Sequence, residues 1–311
     1  MKRYLVIAFC VLVSVTTHAQ DVMVVEMNDN TTHEFHAADV RQIYFKTSGN
    51  NENPLNTGLT CLLKDKYGNP VLLTARGGRE YSYSSDGKLI EFGKLEQNSD
   101  EHFVVDGQTF KSVEVSSSGT KLTIEGRLEF NDVGLVAKSY NLLSEIKNNG
   151  VLDETYSITH IFSYNSEKQL IKVDASSYFE KYDNSGQVSS SGNGSATMTF
   201  TWSGGDLVKV VVVSESNLPD RLYKDAEYKY SYGNEQNVTK QPLHCQCVLL
   251  SDFGINHLYA LGFFGVGSSK LPITYSKNGS TKNMSFTLNA NGTIDTEKAG
   301  SDTSQYKYAQ P

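Results

Sequence analysis

One phrase recurs along the chain and constrains its fold more than any other feature: alternating aromatic residues, a short polar turn, then an aliphatic residue and often a charge. It runs from Tyr81 to Phe92, from Phe162 to Val173 and from Phe200 to Val210, with looser copies beginning at Leu128, Tyr230 and Phe286. Each copy reads as a β-hairpin. Aromatic side chains suit a pleated strand, and Asp86-Gly87, Gly204-Gly205 and Asn291-Gly292 supply the positive φ angles that tight hairpin turns require. Local hairpins in series build a meander, in which neighbours in sequence are neighbours in the sheet.

Hydrophobic alternation gives these strands two unlike faces. Leu122, Ile124, Gly126, Leu128 and Phe130 fall on one side, with Thr123, Glu125, Arg127 and Glu129 on the other. Ala196, Met198, Phe200 and Trp202 likewise oppose Thr197, Thr199 and Thr201. Every such strand has one wet face and one dry face. A long meander with a dry face must curl over it or close into a barrel, because an open sheet leaves edges and apolar surface exposed. The predicted fold class is therefore all-β, an antiparallel meander curled or closed into a barrel with its ring-bearing face inside. One segment departs from the pattern: Ile255, Leu258, Tyr259, Gly262, Phe263 and Val266 have helical spacing, and Gly265, Gly267 and Pro272 stop the helix. Its apolar face is expected to plug an open end of the sheet. A membrane-touching element is the alternative, although no Lys/Arg cluster stands beside it to hold a headgroup surface.

The opening residues have the form of a signal peptide: Lys2 and Arg3, an apolar run from Leu5 to Val15, and Thr17-His18-Ala19 before an expected cleavage at Gln20. The run is short of the roughly 20 residues that a spanning helix needs. Cys10 follows Phe9 within it, which does not suit lipid attachment. Residues 1–19 are read as the signal peptide, 20–48 as a small N-terminal β unit, 49–58 as a polar linker and 59–311 as the barrel-like domain. In the small unit, Val22, Val24 and Met27 precede a turn at Asn28-Asp29-Asn30, and Phe35 to Phe45 follow it.

The chain carries a formal charge of −7, which becomes more negative once Lys2 and Arg3 are removed. An acidic surface without a basic stripe repels phosphate backbones, so nucleic acid is not an expected partner. No later apolar stretch has the length of a transmembrane helix, which leaves a soluble protein or a β-barrel.

Few residues invite chemistry. Cys61, Cys245 and Cys247 remain after cleavage, an odd number for an oxidising compartment. Leu243, Cys245, Cys247 and Leu249 alternate with His244, Gln246 and Val248, as a strand with its thiols on the buried face. A bridge from Cys61 to either thiol, or a metal site with His244, are the alternatives. His33 and His36 are three apart in a strand-like segment, the wrong spacing for a zincin helix. Gly265 to Lys270 lacks the full phosphate-loop spacing. Asn289 to Gly292 has Thr287 and Lys298 at the first and twelfth positions of a calcium loop, where carboxylates are needed. No Gly-x-Ser-x-Gly elbow and no paired acids can be picked out. No catalytic residue, metal ligand or cofactor is assigned. With 18 Tyr, 14 Phe and one Trp, most rings are expected in the core; Trp202 with Tyr228, Tyr230 and Tyr232 is the candidate ligand-binding platform, for a sugar or an apolar ligand.

The hairpin phrases, the segment Leu258 to Gly265 followed by Ser268 to Pro272, and the terminal Tyr306 and Tyr308 resemble an exported family of the Bacteroides group. That family carries a domain of unknown function with a porin-like fold, and the resemblance covers roughly residues 59–310. The hairpins are also similar to YD-type repeats. Glu34, Phe35, Val40, Ile43 and Phe45 resemble a short leader found in the same group. The resemblance implies a barrel-like antiparallel fold and a periplasmic, cell-surface or secreted location, and no activity or site residues. A membrane-inserted barrel would show clean apolar bands about 25 Å tall and a terminal aromatic. Strands such as Ile171 to Tyr178 are mixed, and the sequence ends Tyr308-Ala309-Gln310-Pro311. The expected function is a non-catalytic barrel binding a small ligand, glycan or envelope protein. The alternatives are an integral outer-membrane barrel, a surface-interaction module, or a hydrolase whose site is assembled from distant strands.

Overall fold

Short polar turns set the architecture. Asn131 Oδ1 accepts the backbone N–H groups of Val133 and Leu135, Asn165 Oδ1 those of Glu167 and Gln169, and Asp183 Oδ1 those of Ser185 and Gln187. In each loop the residue three places on is left-handed, as at Gly186 with φ 81°. This is a type I turn closed by a left-handed residue, and it matches the right-handed twist of the flanking strands. Lys168 holds that position with φ 63°, where the equivalent loops have glycine.

The computed structural model describes residues 22–26, 32–36, 63–94, 101–216, 223–243, 246 and 255–311. The chain divides into two compact units, residues 1–52 and 53–311. In the first, β1 (Val22–Glu26) and β2 (Thr32–His36) form an antiparallel hairpin with Val22 opposite His36. The expected signal peptide (1–19) and linker (49–58), His244 and the three cysteines Cys61, Cys245 and Cys247 lie outside the described residues.

The second unit begins with β3 (Leu63–Lys64), β4 (Pro70–Arg76), β5 (Arg79–Tyr83), β6 (Leu89–Gly93), β7 (His102–Asp106), β8 (Thr109–Val115) and β9 (Lys121–Phe130). It continues through β10 (Val136–Ile146), β11 (Leu152–Tyr164), β12 (Leu170–Tyr182), β13 (Val188–Ser203), β14 (Asp206–Ser216) and β15 (Ala226–Gln236). After a long connection come β16 (Lys270–Lys277), β17 (Ser280–Leu288), β18 (Ile294–Ala299) and β19 (Asp302–Ala309). Each strand from β4 onward pairs antiparallel with the next. β19 returns to β4, with Tyr306 opposite Arg76, and this closes a barrel of 16 strands with β3 added beside β4. Closure removes the sheet edges.

The dry faces point inward. Leu128, Val136, Val173, Met198 and Val210 have no exposed surface, and they join Phe92, Phe103 and Phe110 in one continuous core. The opposite positions, Glu125, Arg127, Thr199 and Thr201, are exposed. The described part of the connection from β15 to β16 is largely buried in the interior. Its helix, Ile255–Tyr259, and the turns after it bury Ile255, Leu258, Tyr259, Leu261, Phe263 and Phe264. Phe263 O accepts Val136 N at 2.9 Å and Val266 N donates to Lys168 O at 3.0 Å, while Tyr81 Oη donates to His257 O at 3.2 Å and Arg76 Nη2 to Asn256 O at 3.4 Å. One segment thereby ties β4 and β5 to β10 and the β11–β12 turn across the barrel.

Two local expectations are corrected. The helix ends at Tyr259, well before Gly265, because Leu261 N and Gly262 N bond back to Leu258 O and Tyr259 O in tight turns and Gly262 is left-handed at φ 84°. At Gln246 the expected strand is not found: this residue is helical and buried where alternation puts it on a wet face. Its N–H donates to Leu243 O and its side-chain Oε1 accepts Leu243 N, a local ring of hydrogen bonds that competes with sheet pairing.

Candidate functional site

The four aromatic residues singled out in the sequence all serve the inner face. Tyr228, Tyr230 and Tyr232 alternate along β15, and the first two are each 5% exposed. Tyr275 of β16 stacks against both, with ring centroids 6.3 Å from Tyr228 and 5.8 Å from Tyr230. Tyr232 Oη donates to Leu207 O at 2.6 Å and lies 2.9 Å from Ser268 Oγ. Trp202, at the end of β13, donates from Nε1 to Leu170 O at 2.8 Å. Leu207 is the register partner of Trp202, so the indole and Tyr232 meet through that residue. Their polar tips are bonded to backbone and their rings are packed against the core.

A second constellation has no motif in the sequence. Strand pairing lines up Ser139, His160, Ala175, Ala196 and Ser214 across β10 to β14, all on the inner face. His160 is fully buried, with Nδ1 3.0 Å from Ser139 Oγ and Nε2 2.7 Å from Tyr223 Oη. Burial penalises the imidazolium and lowers its pKa to about 4. The small side chains beside it leave a void of about 10 Å³ lined by Ile158, Ala175, Ser177, Ala196, Ser214 and Tyr223. That is room for one water molecule. The arrangement gives a neutral imidazole with both nitrogens occupied, facing a hydroxyl in a water-poor interior. A general base works best with a pKa near the working pH, and this one lies well below neutrality. The one hint available beforehand was an imidazole in a dry stripe, since His160 alternates with Tyr156, Ile158 and Phe162.

Burial also acts on Tyr164, whose phenol is pushed far above its ordinary range and donates to Val136 O at 2.7 Å. Among the described residues no group of three or more His, Cys, Asp or Glu side chains is placed to hold a metal ion. No helix among them is long and apolar enough to cross a membrane.

The outer face is built differently, from charge pairs across and along its strands. Lys111 pairs with Glu125 across β8 and β9, and Arg127 with Glu129 at 3.1 Å along β9. Lys172 meets Asp174 at 2.7 Å, and Glu227 is held between Lys209 at 2.6 Å and Lys229 at 2.5 Å. The two lysines bring the Glu227 carboxyl down to about 2.

No family model and no curated protein matches the chain. Two solved structures are similar to it in shape. One is a porin-like protein from Bacteroides uniformis, 17% identical, covering 77% of this chain and 91% of that one, with a TM-score of 0.40. The other is a porin-like protein from Bacteroides vulgatus, 11% identical, covering 77% of this chain and 98% of that one, with a TM-score of 0.48. The barrel itself rests on the strand pairing described above.

Proposed function

We propose that the chain is an exported, non-catalytic barrel of the cell envelope or the secreted space, folded in water, which binds its ligand or partner on its outer surface. The observation that carries this is the wet exterior. Ion pairs stand on the outward faces of β8, β9, β12, β14 and β15. A Lys or Arg on the lipid face of a membrane barrel costs about 2–4 kcal/mol at mid-depth. The exposed aliphatics are scattered among charged and hydroxyl side chains, Val104 on β7, Val113 and Val115 together on β8, Val188 on β13, Val213 on β14 and Ile273 on β16.

The packed interior supports the binding half of the proposal. Large porins keep an aqueous channel, whereas here Phe92, Phe103, Phe264 and Leu258 fill the centre. A partner would therefore be met outside. The signal-like leader supports export.

Vesicle flotation tests this. The refolded chain should stay monodisperse without detergent, remain in the dense fractions of a flotation gradient, and leave the permeability of liposomes unchanged. Co-flotation with vesicles, or aggregation cured only by detergent, would instead favour an integral outer-membrane barrel.

A further inference from the structure

Strands β12 and β13 run on past the core. Phe179 is the last buried side chain of β12, and every residue from Asp183 to Ser191 is exposed. On the outer face of this overhang Glu180 lies between two tyrosines. Tyr178 Oη donates to Glu180 Oε1 at 2.7 Å, and Tyr182 Oη donates to Glu180 Oε2. To reach a carboxylate on their own stripe both rings must lean along the strand, and Tyr178 keeps 41% of its surface exposed. Strand register sets Ser157 and Thr155 beside Tyr178 and Glu180 on one flank, with Asn193 and Ser191 on the other.

This patch is unlike the rest of the exterior. Asp174, on the same outward stripe, pairs with Lys172, and Glu125 and Glu227 are held by lysines. The register neighbours of Glu180 and its two tyrosines are hydroxyls and one amide, and a cation of this overhang, Lys147, is held beyond Tyr182 by Asp153 at 3.1 Å and Asn184 at 3.3 Å. Each carboxylate oxygen can accept more hydrogen bonds than the one a phenol supplies. Orientation by two phenols leaves that capacity aimed outward between two aromatic rings. A ring face that takes C–H groups, next to an oriented acceptor and a row of hydroxyls, is complementary to a polyhydroxylated ring compound. An acidic chain would be repelled by Glu180. A cation is a poorer match, because the rings lie along the strand and do not enclose it.

We propose that the Tyr178–Glu180–Tyr182 patch binds a neutral carbohydrate chain, its sugar C–H faces on the two phenol rings and its hydroxyls donating to Glu180 and exchanging hydrogen bonds with Ser191, Asn193 and Thr155. The inference rests on the reading that this exterior faces water.

Affinity electrophoresis of the folded chain tests it, in native gels containing a soluble mixed-linkage glucan, a galactomannan, a xyloglucan or polygalacturonate. Retardation is expected in at least one neutral gel and not in polygalacturonate. Tyr178→Ala should weaken it roughly 5- to 10-fold, the loss of one aromatic contact, and Tyr178→Phe should keep most of it. Thr281→Ala, on a distant exposed position, should leave it unchanged. Both Tyr178 variants should melt with the parent, which separates lost binding from lost fold. Free mobility in every neutral gel, equal retardation of Tyr178→Ala, or a response only to polygalacturonate or to added polylysine would overturn the proposal. A chain that stays with the aqueous fractions on flotation yet runs freely in these gels loses this inference and keeps the water-facing barrel; one that floats with vesicles loses both.

Discussion

The ring of Phe110 lies directly against Gly126 on the adjacent strand. The two are register partners across β8 and β9, and a β-carbon at position 126 would come within 2.0 Å of Phe110 Cζ. Phe110 is 2% exposed and packs edge-on against Phe92 at 5.6 Å and Phe103 at 5.8 Å, so its ring has no free direction to move. Gly126→Ala should destabilise the barrel by about 1–3 kcal/mol through overpacking. Phe110→Leu in the same chain should recover part of the loss. Urea denaturation measures both; an unchanged midpoint for Gly126→Ala would mean that the ring is elsewhere.

His160 makes stability depend on pH. Its folded pKa, about 4, is below the ordinary 6.5, because burial disfavours the charged ring. The native state keeps it neutral while the unfolded chain takes up a proton below 6.5. Stability is therefore full above pH 6.5, falls as the pH drops toward 4, and levels off below that. The loss amounts to up to about 3 kcal/mol. Comparing urea melts at pH 7.5 and 4.5, the parent should lose more stability than His160→Gln. Equal losses would show that the imidazole is not buried.

The interior segment carries a share of the stability out of proportion to its length. Leu258 and Phe264 are at most 1% exposed, and Phe264 meets Phe162 at 4.9 Å. Leu258→Ala and Phe264→Ala should each cost about 2–5 kcal/mol. A cost below about 1 kcal/mol for both would mean that the segment lies on the surface rather than inside the barrel.

Sidedness was legible in β9 and β13 because period-two alternation is a local property. Ile124, Leu128, Met198 and Phe200 could be placed indoors by reading every second residue, and all four are buried. The meander was legible for the same reason, since each hairpin connects neighbours. Closure of β19 onto β4 left no local trace, because Tyr306 and Arg76 become partners only after the whole ring is assembled. The same holds for Ser139, His160 and Tyr223, which lie on two strands and a later connection. Gln246 departs from the alternation because its side chain bonds its own backbone neighbourhood, and helical spacing carries no trace of the left-handed conformation of Gly262 that ends the turn.

Lys168 offers a stabilising change. It is held at φ 63°, and Gly265 sits close against its carbonyl oxygen. Lys168→Gly removes the side-chain penalty of the left-handed conformation and should raise stability by about 0.5–1 kcal/mol. Thermal melting at neutral pH checks it; a lower melting temperature would show that the lysine side chain contributes more than its backbone strain costs.

Sidedness itself is tested most directly by two cysteines, placed one at a time at adjacent positions of β13 in a chain whose Cys61, Cys245 and Cys247 are replaced by serine. Met198 has no exposed surface and Thr199 is exposed. In detergent-free buffer a water-soluble maleimide should label Thr199→Cys to completion and Met198→Cys only after unfolding in urea. Rapid labelling of Met198→Cys in the native protein, with Thr199→Cys protected until detergent or lipid is removed, would mean that the ring-bearing face is the outer one.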